Sequence, residues 1–256
     1  MKKPIVAANW KMYKTINESL DFIKKLNSTN LDFDNLRLII CAPFTSLNSL
    51  NNYIQSSNSS VELGAQNIYH ELEGAFTGEI SAPMLSENNI QYVIVGHSER
   101  RTIFNEDDEF IVKKANKVLE ENFNLIFCIG ETLEQREDGQ TEKVLQGQLN
   151  YLLELIDKDH LDKIIFAYEP VWAIGTGLSA TFEQVKETHT LVKKIISDYF
   201  NVSFDEIDLL YGGSVKSTNA KELSQINEVS GFLIGGASLN VEHYAKISKI
   251  INEVKK

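Results

Sequence analysis

The sequence predicts an α/β protein in which parallel strands close into a single (β/α)8 barrel with helices on the outside. Short runs rich in Ile, Val, Leu and Phe alternate with amphipathic stretches from one end of the chain to the other. About eight such units fit a barrel, which typically takes ~250 residues, and this chain has 256. An open, doubly wound parallel sheet is the alternative prediction.

The predicted strands are mostly continuous apolar runs, as expected of parallel strands that are buried on both faces. They are Ile5–Asn9, Arg37–Ala42, Val61–Gln66, Tyr92–Gly96, Leu125–Ile129, Ile164–Tyr168, Ile207–Tyr211 and Gly231–Ile234. Between them, apolar residues recur at helical spacing, for example from Leu20 to Leu26 and from Ile111 to Leu119. Thr15 and Glu18 have the spacing of a capping box, which predicts a helix start.

No linker, low-complexity tract or shift in composition divides the chain, so we expect one domain over residues 1–256. The net charge of −11 and the pI near 5.0 argue against nucleic acid or an anionic membrane as the main partner. An anionic ligand would need a site that creates local positive potential.

The cysteines and the N-terminal segment indicate a cytoplasmic protein. Cys41 and Cys128 each lie inside an apolar run, so we interpret them as buried small side chains rather than a disulfide. Unpaired thiols fit a reducing compartment. The apolar run after Lys3 is too short for a signal peptide, and no segment is apolar for long enough to cross a bilayer.

Three polar residues stand at or just after predicted strand ends, where barrel enzymes carry their active sites. Lys11 follows the first strand and could supply positive potential, although an isolated Asn-x-Lys is often only a turn. His97 follows the fourth strand directly. If a helix begins there, its N-terminus disfavours the imidazolium form, so His97 could stay neutral and donate a hydrogen bond.

Glu169 ends the sixth strand and is followed by an aliphatic segment that finishes in Gly-Thr-Gly at 175–177. A carboxylate beside a hydrophobic loop that can close over it suits chemistry that must exclude water. Closure would remove water from Glu169, raise its pKa and make it a stronger base.

Two glycine pairs follow the last two strands, in Tyr-Gly-Gly-Ser-Val at 211–215 and Gly-Gly-Ala-Ser at 235–238. Backbone N–H groups after these strands commonly bind phosphate in barrels. The remaining histidines lack metal-ligand spacing with His97 or with one another, so no metal site is expected. The long segment Asn67–Pro83 suggests a role in an interface or in ligand binding.

Taken together, these motifs resemble the triosephosphate isomerase family, and the likeness runs from the first strand to the last helix. The strings that carry it are Asn-Trp-Lys-Met at 9–12, Gly-Ala-Phe-Thr-Gly-Glu at 74–79, Gly-His-Ser-Glu-Arg-Arg at 96–101, Cys-Ile-Gly-Glu-Thr-Leu at 128–133, Tyr-Glu-Pro-Val-Trp-Ala-Ile-Gly-Thr-Gly at 168–177, Tyr-Gly-Gly-Ser-Val at 211–215 and Gly-Gly-Ala-Ser-Leu at 235–239. All of these motifs follow the order in which they occur in the family, mostly at strand ends. The resemblance implies a TIM barrel that interconverts dihydroxyacetone phosphate and glyceraldehyde 3-phosphate.

The resemblance also implies residue roles, including the pairing of a glutamate base with a neutral histidine that is established for the family. Glu169 would move a proton between neighbouring carbons, and neutral His97 would polarise the carbonyl and shuttle protons between the oxygens. Lys11 would stabilise the enediolate and the phosphate. Other implied residues are Asn9 on the substrate, the N–H groups of Gly175, Ser214, Gly235 and Gly236 on the phosphate, and Glu99 and Cys128 beside the reacting groups. No metal or organic cofactor is implied.

The family is usually homodimeric, and the Gly74–Glu79 loop resembles the one that inserts into the partner. An aromatic residue on a long loop, here Phe76 beside Thr77, independently suggests a protein contact. One departure is Leu178, which stands where the family commonly has a basic residue at the lid hinge. We expect Leu178 to be tolerated.

Two other functions stay open on sequence grounds. One is a phosphate-binding barrel aldolase that forms a Schiff base at Lys11, although nothing places Lys11 in the apolar pocket that such lysines favour. The other is a barrel that binds a phosphorylated metabolite without converting it. The presence of Lys11, His97 and Glu169 together argues against the second.

Overall fold

The parallel strands close into a barrel in the order of the chain, because the first strand pairs with both the second and the last. The computed structural model describes residues 2–29, 31–174 and 179–256. The strands are β1 Ile5–Asn9, β2 Arg37–Cys41, β3 Glu62–Ala65, β4 Tyr92–Val95, β5 Asn124–Ile129, β6 Ile164–Tyr168, β7 Asp208–Tyr211 and β8 Gly231–Ile234. The predicted barrel is confirmed, and the alternative of an open sheet is wrong.

Two apolar layers explain why the strand sequences are continuous rather than alternating. Along β1, Ile5 and Ala7 belong to a cluster inside the barrel, whereas Val6 and Ala8 pack in the larger layer between strands and helices. Both faces are therefore removed from water, and each fully buried aliphatic side chain of Val or Leu size contributes about 1.5–3 kcal/mol. Cys41 and Cys128 are free, buried thiols of the inner cluster, which confirms their interpretation as packing residues.

The helices surround the strands, and the longer ones bury one face. They are α1 Ile16–Asn27, α2 Phe44–Ser57, α3 Ala82–Ser86, α4 Ser98–Thr102, α5 Asp108–Glu120, α6 Leu133–Glu137, α7 Thr141–Leu153, α8 Phe182–Phe200, α9 Ala220–Ser224 and α10 Val241–Val254. The predicted capping box begins α1: Thr15 N–H donates to Glu18 Oε2 at 2.7 Å, and Glu18 N–H donates to Thr15 Oγ1 at 3.4 Å. In the described part of the chain, no helix is long and apolar enough to cross a membrane.

Strand ends differ from the predicted ones by one residue at most. Predicted strand 61–66 shortens to β3 at both ends, and Gly96 lies beyond β4. Gly96 has a φ of +76°, which is the left-handed region that glycine adopts without strain. The backbone leaves the strand there, and the turn directs the next residue, His97, towards the barrel mouth.

Candidate active site

The first strand delivers Lys11 to the C-terminal end of the barrel in an unusual backbone conformation. Lys11 has a φ of +50°, which costs a non-glycine residue about 1 kcal/mol or more unless its surroundings hold it. Its N–H donates to Asn9 Oδ1 at 2.9 Å, and Gln66 Nε2 donates to the Lys11 carbonyl at 2.9 Å and to the Cys41 carbonyl at 3.0 Å. The buried Asn9 side chain thus fixes the turn that carries Lys11.

The fourth strand delivers His97, whose side chain caps α4. Glu99 N–H donates to His97 Nδ1 at 3.2 Å. Nδ1 therefore acts as an acceptor, and the ring proton lies on Nε2. His97 is only 5% exposed, so the cap fixes both the orientation of the ring and its tautomer.

The sixth strand ends beside Glu169, a carboxylate that is only 2% exposed. Its Oε1 lies 3.0 Å from His97 Nε2, and its Oε2 accepts a hydrogen bond of 2.9 Å from Ser98 N–H. Two segments that are 71 residues apart in sequence therefore meet at the mouth. Both oxygens of this carboxylate are occupied in the structure.

The pKa of Glu169 and that of His97 are shifted in opposite directions by their contact. Burial acts to raise the pKa of Glu169, as expected, but His97, Ser98 N–H and the positive charge of Lys11 outweigh it, so the pKa lies below its usual value. For His97, burial lowers the pKa, but the Glu169 carboxylate reverses that effect and leaves the pKa raised. The rise in the pKa of Glu169 that is expected on loop closure stays a prediction, because residues 175–178 of that loop lie outside the described residues.

Lys11 reaches the same site with its ammonium group. Lys11 Nζ donates to Glu99 Oε1 at 2.6 Å, and the other oxygen of Glu99 lies 3.6 Å from His97 Nδ1. A lysine paired with a carboxylate suits anion stabilisation, whereas a Schiff-base lysine favours an apolar pocket. Cys128 lies deeper, and burial followed by the nearby charge of Glu169 keeps the pKa of its thiol raised.

The two glycine pairs have different surroundings. A Cβ added at Gly235 would meet Lys11 Cε at 3.4 Å and Nζ at 3.8 Å, so this backbone lies directly beside the ammonium group. Gly236 begins the short 3₁₀ turn Gly236–Leu239, and nothing lies within 4 Å of its missing Cβ. Backbone N–H groups at such a turn start are open to an anion.

The first pair has a packing reason that the sequence did not reveal. A Cβ at Gly212 would lie 2.9 Å from Glu169 Cγ, and one at Gly213 would lie 2.2 Å from Tyr211 Oη. Gly212 therefore makes room for the Glu169 side chain. Ser214, the expected phosphate residue, follows two positions later in the same turn. Gly175 and Leu178 lie outside the described residues.

Several residues that shape the site were missed at the level of sequence. Glu131 is fully buried and accepts hydrogen bonds from Tyr168 Oη at 2.9 Å and Trp172 Nε1 at 3.2 Å, at the start of the segment after Glu169. Gln66, one residue beyond β3, could have been found by the strand-end rule. Ser98 contributes only its backbone, and no sequence signal reports that.

The loop expected at an interface projects Phe76 and Thr77 outward. The Phe76 ring is 41% exposed and packs on Tyr69 with ring centroids 4.5 Å apart. Thr77 is exposed. Among the described residues, no group of three or more His, Cys, Asp or Glu side chains is arranged to hold a metal ion.

The fold and the site define a (β/α)8-barrel enzyme of the acid–base class. A carboxylate, an imidazole with a fixed tautomer and an ammonium group meet at the C-terminal mouth, beside glycine turns suited to an anion. These groups together can move protons on a small anionic substrate.

Comparison with known proteins identifies one family. The family model for triosephosphate isomerase matches residues 4–251, and the chain belongs to this family of isomerases. A triosephosphate isomerase of Aquifex aeolicus is 46% identical over 95% of this chain and 97% of its own length. Relatives with the same name from Dictyoglomus thermophilum and Endomicrobium trichonymphae are 45% and 42% identical, each over 97% of this chain and at least 99% of the relative.

Proposed function

We propose that the mouth of this barrel interconverts dihydroxyacetone phosphate and glyceraldehyde 3-phosphate through an enediolate, with groups of the protein alone. The observation that carries the proposal is the 3.0 Å contact between His97 Nε2 and Glu169 Oε1, with the charged Lys11 held on Glu99 beside it. A base and a proton donor in contact at one mouth can act on adjacent atoms of one small substrate.

Glu169 is the proposed base. Its two oxygens are held by His97 and Ser98 N–H, so the substrate must displace at least one of these contacts. The freed oxygen removes a proton from the carbon next to the carbonyl and returns it to the neighbouring carbon. Once the contacts that lower its pKa are lost, the buried carboxylate becomes a stronger base.

His97 is the proposed electrophile. Because Glu99 N–H occupies Nδ1, only Nε2–H can donate to the substrate, first to the carbonyl oxygen and then to its neighbour. The raised pKa of His97 depends on the Glu169 carboxylate. A substrate between the two side chains weakens that contact and favours the neutral ring.

Lys11 and the glycine turns are the proposed anion site. The ammonium group lies beside Gly235, so one phosphate group can contact both Lys11 and the N–H groups of Gly235 and Gly236. Ser214 and Gly175 would add further N–H donors, and Asn9 would contact the substrate as well as fix the Lys11 turn. These converging N–H donors let an acidic protein bind an anionic substrate at this mouth.

The variant Glu169→Asp tests the assignment of the base. It keeps the carboxylate but withdraws it by about one carbon–carbon bond, and a displacement of this size costs ~10²-fold in rate. We expect kcat to fall about that much while KM changes little, because the phosphate contacts remain. Glu183→Asp, an equal change at an exposed position in α8, is the control and should match the wild type. Wild-type kcat in Glu169→Asp would refute the assignment.

We also propose that the protein is a homodimer joined through the Gly74–Glu79 loop. Exposed apolar side chains support this: Met12 is 96% exposed, Tyr13 58% and Phe76 41%. The loop after β1 and the segment after β3 adjoin through the Gln66–Lys11 hydrogen bond. Sedimentation should give twice the 29.0 kDa chain mass, and Phe76→Glu should give the single-chain mass.

The cytoplasm is the proposed compartment, supported by two free buried thiols. Fractionation of the source cells, followed by the isomerase assay on each fraction, tests it. Activity confined to an exported fraction would contradict it.

A further inference from the structure

A cleft lined by several lysines lies at the opposite end of the barrel from the proposed active site. The cleft has a volume of about 600 Å³. Its walls include Pro4 just before β1, Asp208 at the start of β7 and Ser230 just before β8. Since all strands are parallel, this end is the N-terminal one, a full strand length from Lys11.

The cleft is positively charged although the whole chain is acidic. Five lysines and two aspartates line it, which gives +5 − 2 = +3 at this surface, against −11 for the chain. Two of the lysines have acidic partners: Lys2 Nζ lies 3.3 Å from Asp208, and Lys256 Nζ lies 3.3 Å from Asp32 outside the lining. Lys3, Lys193, Lys255 and Asp205 remain after these two pairs, which leaves a net charge of +3 − 1 = +2.

Lys193 and Lys255 are held by carbonyl groups rather than by carboxylates. Lys193 Nζ donates to the Phe204 carbonyl at 2.9 Å, and Lys255 Nζ donates to the Ile226 carbonyl at 2.8 Å. Across the described residues, neither ammonium group has a carboxylate at ion-pair distance. An ammonium group has three donors, so each retains donors for a ligand.

These lysines are also substantially removed from water. Lys193 is 4% exposed. Burial lowers the pKa of Lys193 and that of Lys255, and the more distant carboxylates of Asp208 and Glu228 do not restore them. Buried charges in proteins normally have a partner of opposite sign. Among the described residues, Lys193 and Lys255 have no such partner at ion-pair distance.

We propose that this cleft binds a small polyanion that carries two or more phosphate groups. Lys3, Lys193 and Lys255, none of which has a carboxylate at ion-pair distance among the residues that the structure describes, can share several negative charges. The volume falls within the ~300–1,000 Å³ of small-molecule sites. A single phosphate would leave part of the charge unmatched, and the acidic surface elsewhere disfavours anions at random positions. The proposal is independent of the isomerase reaction, because no residue is shared with the mouth.

Isothermal titration with inorganic tripolyphosphate tests the proposal on the whole protein. The background is Lys11→Met, which removes the ammonium group of the proposed phosphate site at the mouth. We expect one equivalent to bind in this background. Adding Lys193→Met and Lys255→Met should weaken that binding at least tenfold, because two desolvated donors are lost.

A matched pair of lysines separates local contacts from overall charge. Lys143→Met with Lys186→Met changes two exposed lysines on α7 and α8, outside the cleft, and should leave the affinity within twofold. Equal losses in both pairs would reduce the effect to net charge and overturn the proposal. So would undiminished binding after the cleft substitutions, or no binding at all in the Lys11→Met background.

Since Lys193 and Lys255 also cap carbonyl groups, their loss can destabilise the fold. Backbone NMR of the wild-type chain avoids this problem: tripolyphosphate should shift the amide signals of Ser230 and Gly231 at the cleft. Shifts confined to Gly235 and Gly236 at the mouth would overturn the proposal. Adenosine triphosphate as a second titrant identifies the source of the phosphate groups, since tighter binding than tripolyphosphate indicates a nucleotide.

Discussion

Two buried carboxylates in this protein, Glu169 at the mouth and Glu106 behind the barrel wall, share burial but differ in their partners. Glu106 is 8% exposed, and its Oε1 lies 2.6 Å from Arg100 and 2.5 Å from Lys114, which is itself 1% exposed. Burial acts to raise the pKa of both carboxylates, and in both the contacts lower it below the usual value.

The difference lies in whether a substrate can replace the partners. Glu106 is held by Arg100 on α4 and Lys114 on α5, side chains of the fold that no substrate replaces. Loss of the Glu106 carboxylate would leave both of these side chains without it. Glu169 is held mainly by an imidazole and a backbone N–H, donors whose place a substrate can take. A buried carboxylate with a lowered pKa therefore does not by itself mark a catalytic site. A carboxylate is a better candidate for catalysis when it lies at a strand end and its partners can be replaced by a substrate.

His97→Gln should produce the largest effect. Gln keeps a donor near Glu169 but cannot exchange protons with the substrate oxygens, so we expect kcat to fall ~10²–10⁴-fold with little change in KM. Steady-state kinetics check this. A loss of less than fivefold would remove the distinction between the two carboxylates, because the partner of Glu169 would then be structural as well.

Glu106→Gln should lower stability rather than activity. It leaves Lys114 and Arg100 without their carboxylate, which costs about 3–5 kcal/mol in the free energy of unfolding. Urea unfolding measures the loss, and kcat of the folded protein should stay within twofold of the wild type. Glu109→Gln, in the exposed pair with Lys113, is the control and should cost less than about 1 kcal/mol.

The stability effect should depend on pH with a definite sign. The pKa of Glu106 in the folded chain lies below its usual 4.5, so its contribution is complete above that value and disappears as pH falls through the folded pKa. The difference in Tm between wild type and Glu106→Gln should therefore be greatest near pH 7 and shrink below pH 4.5. A difference that grows in acid would contradict the pairing.

Carboxyl-carbon NMR titration compares the two groups directly. In the wild type without added ligand, both should titrate below 4.5. In His97→Gln, the pKa of Glu169 should rise because an imidazole partner is lost, and that of Glu106 should not move. Parallel movement would show that the two sites are coupled.

Leu178→Lys should have the smallest effect. Leu178 lies outside the described residues, and the resemblance predicts a basic residue there, at the hinge of the expected lid. We expect kcat to change less than tenfold, as measured in the coupled isomerase assay. A larger increase would mean that the hinge, rather than the Glu169 site, limits turnover.

Local patterns in the sequence were enough to identify the strands along the chain and the residues at their ends. Runs such as Ile164–Tyr168 are apolar throughout because they are buried on both faces. Such a run can be recognised from neighbouring residues in the sequence. The strand-end rule then selected Lys11, His97 and Glu169, which the structure brings together at one mouth.

How these groups act on one another depends on contacts between distant segments of the chain. The direction of the Glu169 pKa depends on Ser98 N–H and His97 across 71 residues of sequence. Gly212 makes room for that carboxylate, although its sequence suggested only a phosphate turn. In the sequence, Lys193 has the pattern of an ordinary lysine on a helix surface, but the fold buries it in the wall of a cleft. Distances and solvent access are properties of long-range packing, so no local pattern of residues could report them.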